Sequence, residues 1–272
     1  MEGPRKRWTD AIIRPVKKTL FGEEDYSGAS PIPADLDVAP IEDVARDVCA
    51  LGWDDWRDYA FAREPLNGRL DDVQRKELME AAYGCGTSWA RRIAGELGSS
   101  DPLDVARGLG ASVAFEERPH GQDRVLFAEF VEPDQIFVYG DALDKAQGLL
   151  DKPEVRELVG SRLRPQPLLV AHEAYHLVEL SHADEVWSQT HRVDVGFGPF
   201  HNRSRLVILS ELCAMAFAQE LTGLPYSPYV LDVLLTYSYS AMAGTSLYRE
   251  VMGYQPKDME GELATQWQPA ND

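Results

Sequence analysis

Apolar residues recur three and four positions apart through most of this chain, and they gather into short unbroken runs at only a few places. From Ile41 to about Leu97 the spacing is helical. Ile41, Val44, Ala45 and Val48 fall on one face, as do Val73, Leu78, Ala81 and Ala82. Trp53, Trp56, Tyr59 and Phe61 add aromatic mass that belongs to a core. A break at Gly98–Pro102 follows, where Ser100 or Asp101 can cap a short helix over Pro102–Leu109 that stops at Gly110. Three β-type runs come next: Ala111–Phe115, Val125–Val131 and Gln135–Tyr139, with a tight turn at Glu132-Pro133-Asp134. A small antiparallel sheet is the simplest arrangement of them.

Helices are expected over Asp141–Leu150 and Pro153–Leu163. Another covers Leu168–Leu180, begun by Pro165 and Pro167. Residues 181–204 read as a long polar loop. An apolar helix over Leu206–Leu221 ends at Gly223 and Pro225, and one further helix covers Leu231–Val251. The fold class is therefore α+β. Residues 1–40 read as a basic arm and a Gly/Pro/Ser/Asp-rich linker, 41–98 as a helical region, 99–254 as the main domain and 255–272 as a polar tail.

Within the helix over Leu168–Leu180 stands His172-Glu173-Ala174-Tyr175-His176. Two histidines four residues apart lie on one helix face, one turn apart, and can share a zinc ion. The intervening Glu173 is placed to reach a zinc-bound water rather than the metal, which is the general-base role in peptide hydrolysis. A catalytic zinc needs a third protein ligand and one open position. Glu211 is the first candidate, because it is the only charged residue between Leu206 and Gln219, in an otherwise apolar helix. A buried carboxylate there needs a metal or a cationic partner such as Arg205. Ala214 and Ala218 continue the face of Glu211 and would let the two helices approach closely. His182 is the alternative, standing where the HExxHxxGxxH pattern has its third histidine, although Glu179 occupies the glycine position. Met242 is a loose match to the methionine turn of that class. Tyr237, Tyr239, His191 and His201 are candidate transition-state stabilisers.

The stretch Asp101–Pro225 resembles the ImmA/IrrE family of zinc metallopeptidases. The resemblance is carried by DPLDVARGLGASVAF, QIFVYGDAL, LLVAHEAYH and ELCAMAFAQELTGLP. Glu211, Ala214, Phe217 and Ala218 match the family's E-x-x-A-x-x-F-A helix. It implies a zincin-like domain whose HExxH helix packs among helices beside a small sheet, with zinc held by His172, His176 and Glu211 and with Glu173 as the base. It also implies a protein substrate, since family members often cleave a transcriptional repressor. The chain departs from the family's usual form at Tyr175, where glycine is usual, and at Leu180, where a histidine often stands.

Charge narrows the partners. The formal net charge is -18, from 45 acidic and 27 basic residues, and such a surface repels nucleic acid and anionic membrane. No run approaches the ~20 apolar residues of a membrane helix. The basic segment Met1–Leu20 lacks the apolar stretch of a secretory signal. Cys49, Cys85 and Cys213 are scattered, form no CxxC pair, and read as reduced thiols of a cytoplasmic protein. Two other functions stay open. One is a regulator that keeps the fold and binds a partner through Ile41–Leu97 without cutting it. The other is a structural zinc site with His182 or His201 as a fourth ligand.

Overall fold

The computed structural model describes residues 36–117, 127–196 and 202–253. The basic arm, the polar tail, the first part of the run over Val125–Val131 and His201 lie outside them. The described residues form a mixed α+β structure, mostly helical, with one three-stranded sheet.

Helix α1 (Ile41–Ala50) buries Ile41, Val44, Ala45 and Val48, the face its spacing predicts. Helix α2 (Arg57–Phe61) carries the buried Tyr59 and Phe61. The long helix α3 (Asp72–Leu97) starts at a capping box in which Asp71 accepts from the Gln74 amide and Gln74 accepts from the Asp71 amide. Helix α4 (Pro102–Gly108) is capped by Asp101, whose carboxylate accepts from the Leu103 and Asp104 amides.

Strands β1 (Ser112–Glu116), β2 (Ala128–Val131) and β3 (Gln135–Tyr139) form the sheet in the order β1-β3-β2. β2 and β3 make the expected antiparallel hairpin, with Ala128 opposite Val138 and Val131 opposite Gln135. β1 pairs with β3 in parallel, Ser112 opposite Gln135, so the sheet is mixed rather than antiparallel. The reason is topological. The chain leaves β1, returns down β2, and the hairpin inserts β3 between the two, which makes β3 the central strand and β2 an edge.

Helices α5 (Gly140–Leu150) and α6 (Pro153–Val159) follow. Helix α7 (Pro165–Ser181) crosses the sheet against β2 and β3. The expected loop over 181–204 contains a short helix, α8 (Trp187–Thr190), and a two-residue ladder of β4 (Val193–Asp194) with β5 (Arg203–Ser204). Helix α9 (Ile208–Thr222) is buried nearly all round and ends at Gly223, whose φ of 64° is the left-handed cap that glycine adopts without strain. It packs most extensively on α3 and then on α7.

The single helix expected over Leu231–Val251 is two, α10 (Val230–Tyr239) and α11 (Ala241–Gly253). Ser240 breaks it. Its backbone is extended and its hydroxyl accepts from the Ala243 amide, so it caps the second helix. One continuous core runs through all these elements, from Val44 in α1 to Val251 in α11, so the 41–98 helices share it with the site-bearing domain. No helix among the described residues is long and apolar enough to cross a membrane.

Candidate metal centre

Helix α7 buries an apolar surface around the motif. Leu168, Leu169, Val170, Ala171, Ala174, Leu177 and Val178 are all buried, which seats the helix between the sheet and α9. His172 and Glu173 are carried inside with it, each 3% exposed. Helix α9 supplies Glu211, 7% exposed, from its first turn.

These side chains converge. His172 Nε2 lies 3.2 Å from Glu211 Oε2, and His176 Nε2 lies 3.9 Å from Glu211 Oε1. One ligand atom from each of the three residues can be chosen with all of them within 4.8 Å of one another. Ligand atoms about 2.0–2.2 Å from a tetrahedral zinc sit roughly 3.3–3.6 Å apart, so the observed separations bracket what one ion requires. The charges agree. Glu173, Glu179 and Glu211 are three buried carboxylates around two imidazoles, and such an excess of negative charge calls for a cation. Glu173 Oε2 is buried with no hydrogen-bond partner, which suits a group reserved for water or substrate. The three donors could therefore hold one metal ion, and the His176 side chain, at 18% exposure against 4% for His172, is the more open of the two histidines.

His176 is held from behind. Its Nδ1 lies 3.3 Å from Glu179 Oε2, and Glu179 also accepts from the Ser188 and Ser210 hydroxyls. Burial alone would lower the His176 pKa. The bond to Glu179 and the charges of Glu211 and Glu173 outweigh it, raising the group to about 9. Burial pushes Glu179 up and those three hydrogen bonds pull it below the usual carboxylate range, the net being downward. Glu179 thus occupies the position where the metzincin pattern wants glycine and is instead the partner of His176 Nδ1. Its spacing of three residues from His176 is the signal that could have found it.

Glu211 is anchored by its helix start. Glu64, buried in the segment after α2, accepts from the Ile208 amide through Oε2 and from the Leu66 amide through Oε1. A carboxylate at the first helical amide satisfies a donor that the helix cannot satisfy itself. Tyr175 is fully buried, with its hydroxyl 3.1 Å from Ser188 Oγ and its ring 5.5 Å from that of Phe217.

The other sequence candidates are placed elsewhere. His182 packs on Trp89, ring centroids 4.8 Å apart, with Nδ1 3.3 Å from the Val178 carbonyl, and is not part of the cluster. Arg205 bonds Gln189. The Tyr237 hydroxyl donates to the Ala39 carbonyl at 2.9 Å. Tyr239 packs edge-on to Phe127 and against the Lys145 ammonium. His191 stacks on Trp187 at 4.6 Å. The hydroxyl within electrostatic reach of Glu173 is Tyr139, at the end of β3. It donates to Glu129 on β2, and burial, Glu129, Glu116 and Glu173 together hold its proton tightly.

Comparison of the chain with protein-family models, curated proteins and solved structures finds no match.

Proposed function

We propose that this chain is a zinc-dependent endopeptidase with a zincin-like catalytic domain, of the kind its likeness to the ImmA/IrrE family implies. The observation that carries the reading is the convergence of His172, His176 and Glu211 from two helices beside the unpartnered Glu173 oxygen. His172 and His176 Nε2 and the Glu211 carboxylate would hold the ion. When bound, zinc supplies Lewis acidity and brings a water's pKa toward about 7.

Glu173 takes the proton of the attacking water and returns it to the leaving amine. Glu179 keeps His176 turned with Nε2 forward. β2, the edge strand beside α7 among the described residues, is where an extended peptide would add a strand. β3 (Gln135–Tyr139) has neighbours on both sides and cannot take that role. A protein substrate, such as a transcriptional repressor, fits an edge-strand mode of capture.

Glu173→Gln keeps the shape and removes the base. The full chain carrying it is expected to hold zinc as the parent does while its peptide hydrolysis falls by a factor of at least about 10²–10⁴. Undiminished hydrolysis, or a biological effect that survives the substitution, would favour a partner-binding regulator instead.

A further inference from the structure

Two of the three cysteines meet behind the metal centre. Cys85 on α3 and Cys213 on α9 are neighbours across the close contact of these two helices. Gly86 makes that contact possible. A Cβ there would sit 2.1 Å from the Cys213 carbonyl oxygen and 2.9 Å from the Phe217 nitrogen, so the two backbones touch one residue from Cys85. A disulfide needs Cα atoms about 4.4–6.8 Å apart, a separation that helices in backbone contact can supply. Cys213 is buried, whereas Cys85 is only partly so.

We propose that Cys85 and Cys213 are an oxidation site, a dithiol that closes to an intrachain disulfide when a hydroperoxide reaches Cys85. In the first step the Cys85 sulfur attacks the O–O bond of the hydroperoxide, becomes a sulfenic acid and releases an alcohol, or water from hydrogen peroxide. In the second step Cys213 sulfur attacks the Cys85 sulfur, the S–O bond breaks, and its oxygen leaves as water with the Cys213 proton. Two thiols lose two electrons in total and the peroxide gains them.

The surroundings of Cys85 favour the first step. The Cys213 thiol, the Tyr175 hydroxyl at 3.7 Å and the backbone amides of Trp187 and Ser188 surround its sulfur, and together they outweigh burial to bring its pKa down to about 6. Cys49 differs: burial pushes it up to about 11, so it is the internal control. Cys85 also ends a chain of contacts that runs through Tyr175, Ser188 and Glu179 to His176. The disulfide would therefore close at the far end of the network that positions a metal ligand. None of the candidate metal ligands takes part in it.

The test is peptide mapping of the full chain after titration with hydrogen peroxide. The expected product is a Cys85–Cys213 linked peptide that a dithiol reductant removes, with Cys49 still open to a maleimide. In Cys213→Ser the expected product is a Cys85 sulfenic acid trapped by a 1,3-diketone. In Cys85→Ser, Cys213 is expected to stay reduced. The proposal is overturned if the parent chain loses no Cys85 thiol, forms only links between chains, or takes Cys85 directly to sulfinic acid. A disulfide that pairs Cys49 overturns it equally.

Discussion

A buried imidazole that must face a metal through Nε2 needs something to hold its Nδ1, and at His176 that is Glu179. Ser188 and Ser210 fix the carboxylate in turn. Losing such an outer partner typically costs a metal site about 10–100-fold in affinity. Glu179→Ala is therefore expected to weaken zinc binding by that factor, read by competition against a chelating indicator. Equal affinity for the two proteins would mean that Glu179 is packing alone. Tyr175 follows the same logic from the opposite side. It stands inside the motif, where the family usually has glycine, and its hydroxyl lies against Ser188 and Cys85.

The α3–α9 contact decides how the elements hold Glu211 in place. Gly86 and Gly84 lie two residues apart on α3 and give opposite predictions. A Cβ on Gly86 would meet backbone at 2.1 Å, whereas one on Gly84 meets nothing within 4 Å. Alanine gains up to about 1 kcal/mol of helix propensity at either site. At Gly86 overpacking of about 1–3 kcal/mol or more opposes that gain. Urea unfolding is expected to show Gly84→Ala more stable than the parent and Gly86→Ala less stable.

Most helices were legible in the sequence because their apolar residues repeat at helical spacing, and Glu211 stood out as a lone charge in one of them. Pairing direction was not legible. The strand runs carry no record of which neighbour inserts between the others, so the parallel β1–β3 pair was missed. The break at Ser240 was missed for a related reason: the apolar spacing runs on through it, and only the serine hydroxyl marks the cap. Glu64 and Tyr139 reach the site neighbourhood through tertiary packing, which no motif shows, whereas Glu179 stands three residues past His176 on the same helix, where helical spacing alone marks it.

Across the whole molecule, the helices of 41–98 and those carrying His172, His176 and Glu211 share one core, so buried polar groups outside that cluster still bear on stability. Asp232 on α10 is the clearest case. It is 4% exposed, and its Oδ2 accepts from the Tyr59 hydroxyl at 3.2 Å. Burial raises its carboxyl from 3.8 to about 8, against the pull of Arg63 and Tyr59. Such a group binds a proton in the folded state that the unfolded chain has released. Its contribution is present below the unfolded value and is lost as pH rises toward the folded one. The metal-free chain is expected to lose stability from about pH 4 to about pH 8, and Asp232→Asn to flatten that slope in thermal melts across the range. An unchanged slope would place the proton elsewhere.

The central claim is that His172, His176 and Glu211 hold one zinc ion, and anomalous diffraction from crystals of the zinc-loaded full chain, recorded on both sides of the zinc absorption edge, tests it most directly. The account predicts a single strong peak bonded to both Nε2 atoms and to the Glu211 carboxylate, with Glu173 beside it but not bound to it. A zinc peak held by other residues, or zinc-loaded crystals with no peak between these three side chains, would contradict it.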